Sequence, residues 1–202
     1  MDTMTSSVVL VASNEVDQAR LDPVLNAAAV VVVKVAPDEG SMTDADVDWL
    51  RSPARVSLAW IGSVADTNAL AVALACDLVI AHTNAVLDFA PATGGQLPVL
   101  GSVDALVNRV GSSRALALIV GGQIPADQAH HWGIVDRLAS LESAMGWAEQ
   151  ISQHSPQWLA EVKALLRQAH LSNDQVLVRR REREALGRLA SDGREAGEGI
   201  SE

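Results

Sequence analysis

Tyrosine is absent from this chain of 202 residues and phenylalanine occurs once, so no tyrosine hydroxyl is available for acid–base work. Cysteine also occurs once, at Cys76, which excludes a disulfide framework and a multi-cysteine metal site. Lysine is confined to Lys34 and Lys163, so any phosphate-bearing ligand has to be met by arginine. Basic side chains number 15 against 25 acidic ones, a net charge of -10, and a polyanion such as nucleic acid is a poor partner. Long apolar runs are missing too. The stretch Ala27 to Val33 is far too short to span a bilayer. Met1 to Ser7 places no basic segment ahead of its apolar residues and does not read as a signal peptide. Gly94-Gly95 lies in no GxxxxGK[ST] or GxGxxG pattern. The expectation is an acidic, cytoplasmic globular domain with no cofactor, no metal, no nucleic acid and no membrane among its partners.

What is present is alanine and valine, at an apolar fraction of 49%, enough for a sizeable core. Ser7 to Ala12, Ala28 to Val35 and Arg55 to Ile61 read as strands, Leu78 to Ala81 as a fourth and Ala85 to Phe89 as a fifth. Strands apolar on both faces imply a layered βα protein rather than a sandwich. Helices fit Asn14 to Asn26, Thr43 to Leu50 and, capped at Asp66-Thr67, Ala69 to Cys76. From Ser102 onward the pattern is helical throughout, with Ser102, Ser113, Ser140 and Ser155 as capping residues. The chain therefore divides into an α/β part, residues 1–101, and a helical part, residues 102–202, within one functional unit.

Two segments are specific. AVALACDLVIA at Ala71 to Ala81, followed by Asn84 to Leu87, resembles the helix–strand signature of the enoyl-CoA hydratase/isomerase (crotonase) superfamily. RALALIVGGQIPADQAHHWGIVDRL at Arg114 to Leu138 is similar to that family's helix–TGxxISAxxAxxxGLVxxV block. EREALGRLASDGREAGEGI, ending at Ile200, is a weaker echo of its C-terminal helix. The resemblance implies a crotonase-like (ClpP/crotonase) spiral ββα core, a C-terminal helical trimerisation region, and an acyl-CoA thioester held where two backbone N–H groups stabilise its enolate.

Carried over position by position, the active-site pattern departs from the family. The loop of the first oxyanion donor falls on GSMTDAD at Gly40 to Asp46, near Met42 or Thr43, with Asp44 on the usual glycine. The glycine run of the second falls on Thr67, Asn68 and Ala69, so Asn68 becomes the donor at a helix N-terminus. The two hydratase glutamates fall on Ala71 and Pro91, neither of which holds a proton. Asp88 reads either as a relocated carboxylate or as a strand-end aspartate, and Asp66 either as a displaced acid or as a helix cap. Adjacent His130 and His131 point about 100° apart on a helix and do not chelate one ion. Arg51, Arg55 and the cluster Arg179 to Arg183 are the candidate phosphate partners.

Three readings follow: an acyl-CoA-binding protein with little or no hydratase activity, an active hydratase, isomerase or hydrolase using Asp88 and Asp66, and a non-catalytic partner of an active homologous subunit. Leu58 to Ile61 and Leu97 to Leu100 are the expected cleft walls. Val176, Leu186 and Leu189 form an apolar stripe on an otherwise polar helix, and with the resemblance they imply a homotrimer or hexamer.

Overall fold

The computed structural model describes residues 8–13, 30–35, 37, 43–89, 100–171 and 175–198. The helix expected at Asn14 to Asn26 and the loop around Pro91, Gly94 and Gly95 lie outside the described residues. Two compact units are present, Met1–Gln153 and His154–Glu202.

In the first unit the strands β1 (Val8–Ala12), β2 (Val30–Val35), β3 (Val56–Ile61), β5 (Leu78–Ala81) and β8 (Arg137–Leu138) form one sheet, in that order. Every pair is parallel, with Val30 opposite Val56, Leu58 opposite Leu78 and Ile80 opposite Arg137. A second sheet holds β4 (Val64–Ala65), β6 (Val86–Asp88) and β7 (Gln123–Pro125), with β4 and β6 parallel and β7 antiparallel. The helices of this unit are α1 (Asp44–Leu50), α2 (Thr67–Ala75), α3 (Ser102–Val110), α4 (Ser112–Gly121), α5 (Ala126–Trp132) and α6 (Leu141–Ile151).

Side-chain alternation sorts the larger sheet into two buried faces. Val31, Val33, Val35, Ala59, Ile61, Val79 and Ala81 join the core that also holds α2, Leu50 and Leu106. Val30, Val32, Leu58 and Ile80 line the opposite face and are fully buried. There α6 packs on β2 and β3, and its Ala144 and Ala148 are themselves sealed. Only small residues let that helix lie close to the strands.

Polar groups fix the sheet's order as firmly as the apolar ones. The Asp77 carboxylate accepts from the Ser57 N–H at 2.8 Å, and the Ser57 hydroxyl accepts from the Asp77 N–H at 3.0 Å. That hydroxyl also lies 2.9 Å from the Leu50 carbonyl and 3.0 Å from the Asp77 carboxylate. Asp136 accepts from the Val79 N–H at 2.6 Å and pairs with Arg109 at 3.1 Å, while Arg109 donates to the Asp77 and Ile134 carbonyls. The last α/β step is thereby tied to α3.

The stretch from Ser102 onward is not helical throughout. It contributes β7 and β8, strands too short to show an alternating pattern, and β8 extends the main sheet. Two of the expected caps are also replaced. Gly101, at φ 70°, precedes α3, and Gly111 precedes α4, so Ser102 stands inside its helix and Ser113 one position further in. Ser140 does cap α6, accepting from the Ser143 N–H.

In the second unit α7 (Pro156–Leu171) and α8 (Gln175–Glu198) pack on one another. The Ser155 hydroxyl accepts from the Trp158 N–H at 3.2 Å, the expected cap. Arg188 grips Glu161 through two bonds of 2.7 and 2.8 Å. Leu186 is 67% exposed and Leu189 is half-buried. The side chain of Val176, the third member of the expected stripe, is outside the described residues.

Two predictions follow from these ties. Asp77→Ala leaves the Ser57 N–H, on a fully buried residue, without its acceptor, and urea unfolding should show a loss of about 1–3 kcal/mol. The hydrogen bond and charge of Arg188 hold the Glu161 carboxyl below its ordinary range, against a smaller opposing effect of burial. A depressed folded-state value stabilises above the unfolded pKa, and that contribution disappears as pH falls through the folded one. Carbon-detected NMR titration should place Glu161 below the ordinary carboxylate range, and Arg188→Ala should return it there.

Candidate active site

The recess of interest lies in the first unit, beside α2. Its lining is Thr67, Leu70 and Leu74 from α2, Phe89 after β6, Ser102, Val103 and Leu106 from α3, and Ile119 from α4. The recess is shallow and open to solvent, with a cavity volume of about 20 Å³, room for about one water molecule. Thr67, Leu70 and Leu74 fall at helical spacing on one side of α2. Among the described residues, two hydroxyls, those of Thr67 and Ser102, are the polar side chains of the lining, and none of these eight residues is ionisable.

Helix α2 owes its start to Asp66, whose backbone is extended and whose carboxylate accepts from the Ala69 N–H at 2.9 Å. Every residue from Ala69 to Ala75 is buried. Ala71, the position matched to the first hydratase glutamate, is 1% exposed. Pro91, matched to the second, lies outside the described residues.

The four candidates read from the sequence have separate neighbours. Asp66 caps α2 with its carboxylate. Asn68 is exposed on the first turn of α2. Asp88, half-exposed at the end of β6, accepts from the Gln123 amide at 2.8 Å across the smaller sheet. Thr43 caps α1 in a reciprocal box: its hydroxyl and its N–H both donate to Asp46, at 2.7 and 2.9 Å. None of the four belongs to the lining of the recess.

The expected cleft walls need correction. Leu58, Ala59 and Ile61 are fully buried inside the sheet and present no surface to a ligand. Trp60, half-buried, donates from its indole to the Ala139 carbonyl at 3.1 Å. Its ring covers Gly62 so closely that a Cβ there would sit 2.5 Å from it. Leu97 to Val99 lie outside the described residues. The lining residues Leu70, Leu74 and Ile119 were missed by sequence reading, although the first two stand in the helix that carried the family resemblance.

Other side chains singled out in the sequence have structural partners. The Arg55 guanidinium lies 4.1 Å from the centre of the Trp49 ring, on a residue only 9% exposed. Arg180 and Arg181 sit at 3.7 and 3.3 Å from Glu184 on an exposed face of α8. His130 bonds the Val135 carbonyl through Nδ1 at 2.8 Å, and His131 is exposed. Cys76 is buried at the end of α2. Among the described residues no group of three or more His, Cys, Asp or Glu is placed to hold a metal ion. No helix among them is long and apolar enough to cross a membrane.

With the parallel core, the buried α2 and the recess in place, comparison with known proteins is informative. Residues 52–200 match the enoyl-CoA hydratase/isomerase family, and the chain belongs to that family. It is 35% identical over 103 residues to 2,3-dehydroadipyl-CoA hydratase of Escherichia coli K12, a match covering 48% of this chain and 40% of that protein. Over 95 residues it is 32% identical to 1,2-epoxyphenylacetyl-CoA isomerase of the same organism, covering 46% of this chain and 36% of that one. In these matches the chain spans less than half the length of either curated relative. A crystal structure assigned as an enoyl-CoA hydratase of Thermobifida fusca YX in complex with CoA is 25% identical, with a TM-score of 0.73 over 87% of this chain and 82% of that one. An enoyl-CoA hydratase/isomerase assignment from Mycobacterium abscessus shares the fold, with a TM-score of 0.77 at 21% identity over 97% of this chain and 95% of that one. The fold is thus the crotonase fold.

The cap geometry carries a prediction. Asp66→Ala should cost about 1 kcal/mol in urea unfolding, and Asp66→Ser, which keeps an acceptor, should recover most of it.

Proposed function

We propose that this chain binds acyl-CoA thioesters and hydrates enoyl-CoA at close to background rate. The observation that carries the reading is Ala71: it occupies the matched position of a hydratase glutamate and is sealed inside α2. Syn addition of water needs an acid and a base within hydrogen-bond reach of the reacting atoms, each worth roughly 10²–10⁴-fold. Pro91, at the other matched position, has no proton to give. Asp66 and Asp88 are engaged with Ala69 and Gln123, which supports a structural part for each.

Binding is supported by family membership and by the CoA complex of a structural relative. In this reading the Asn68 N–H, one position before the N–H that Asp66 takes, offers the thioester carbonyl a donor at the positive end of α2. Thr43 stands near the other donor. Residues 1–101 supply most of the core, and residues 102–202 complete it and carry the helices through which a homotrimer or hexamer assembles, with itself or with a homologous subunit. The setting is the cytoplasm.

Loss of crotonyl-CoA absorbance, followed with the wild type and Asp88→Asn, tests the catalytic half. Near-background rates in both are expected. Robust turnover in the wild type that disappears in Asp88→Asn installs Asp88 as a relocated acid and overturns the reading. Light scattering should return a trimer or a multiple of it, and a lone 21.3 kDa species overturns the assembly.

A further inference from the structure

We infer that Asp66 makes the chain discriminate against thioester enolates, so that it takes acyl-CoA in the neutral, keto form; this rests on the acyl-CoA reading above. The Asp66 backbone is extended and its carboxylate accepts from the Ala69 N–H at 2.9 Å, which seats that charge on the first turn of α2. The Asn68 N–H, the donor of that reading, belongs to the residue before Ala69. Free N–H groups of a first turn point the same way along the helix axis, so a ligand at Asn68 is a neighbour of Asp66. Aligned peptides place about half a positive charge at a helix start, and a carboxylate bonded there adds a full negative one. Among the described residues no cation pairs with Asp66. Charge at this end of α2 is therefore negative on balance.

The Thr43 position has the same character. Its N–H and its hydroxyl both donate to the buried Asp46 carboxylate, at 2.9 and 2.7 Å, so that N–H is already used and its partner is again an anion. The carbonyl oxygen of a neutral thioester needs only a hydrogen-bond donor, which Asn68 supplies. An enolate oxygen carries a full charge and has to be met by a preorganised positive field. Here it meets a carboxylate. Two like unit charges about 6 Å apart, at an effective dielectric constant near 20, oppose one another by a factor of about 100. Asp66 is half-exposed, and screening by solvent brings this to about tenfold. The same charge opposes isomerisation and any other reaction through a thioester enolate, independently of Ala71 and Pro91.

Acetoacetyl-CoA is the probe, because its enolate absorbs in the near ultraviolet where its keto form does not. The full chain and Asp66→Asn are titrated with it at one fixed, mildly alkaline pH, and the enolate-to-keto ratio of the bound ligand is read. Asparagine caps a helix as well as aspartate does, so the variant should melt with the wild type. The ratio on the wild type should not exceed that of the free ligand, and Asp66→Asn should raise it about tenfold. Asp66→Ser, a second uncharged cap, should raise it likewise. Asp127→Asn, which removes an exposed charge from α5, should leave it unchanged. An equal ratio in the wild type and both Asp66 variants, with acetoacetyl-CoA bound by all three, overturns this inference and leaves the acyl-CoA reading standing. A rise of the same size in Asp127→Asn does so too. Binding of neither acetoacetyl-CoA nor butyryl-CoA by any of these chains overturns that reading, and this inference with it.

Discussion

The constraint on which the first unit depends is that α2 is buried on every side. A helix wrapped completely by protein cannot carry an amphipathic stripe; it must be apolar all round, and small wherever a sheet or helix comes close. Ala69 to Ala75 meet that demand with four alanines, two leucines and a valine, all buried. The helix ends need polar partners in exchange. Asp66 supplies one at the start, and just beyond the end Asp77 clasps Ser57 on the neighbouring strand. β3 and β5 run parallel because α2 carries the chain back between them, and the clasp ties the turn before β5 to β3.

The same burial shapes the chemistry. An acid at position 71 would be an ionisable group on a helix with no solvent around it, tolerable only with a partner to hold its proton or charge. In this chain alanine stands there. Two carboxylates near α2 have their hydrogen bonds spoken for, Asp66 at the cap and Asp88 with Gln123. Among the described residues, the lining of the recess offers two hydroxyls and no acid or base.

Much of this was legible in the sequence, for identifiable reasons. β2, β3 and β5 announce themselves because a strand covered on both faces is continuously apolar, and β1, whose Leu10 is exposed, by its run of apolar, mostly β-branched residues. The Asp66 and Ser140 caps were legible because a side-chain acceptor just before an apolar run has a fixed geometric use. The second family motif has a similar logic. Gly133, at φ 85°, ends α5 in the left-handed region, and the Ile134 N–H returns to the Ala129 carbonyl, which drives Ile134 and Val135 inward. By contrast β4, β7 and β8 have three residues or fewer, and pairing alone makes them strands. The glycine starts of α3 and α4 were overlooked in favour of the serines that follow them. The recess depended on which side of α2 meets α3, and that is a packing fact no local pattern contains. Leu58 to Ile61 were misplaced as cleft walls for that reason: their apolar character is equally suited to a sheet interior, where they lie.

The account stands on where an acyl chain goes. A crystal structure of the full chain grown with butyryl-CoA should show the thioester oxygen at the N-terminal turn of α2 beside Asn68. A thioester bound on any other surface contradicts it.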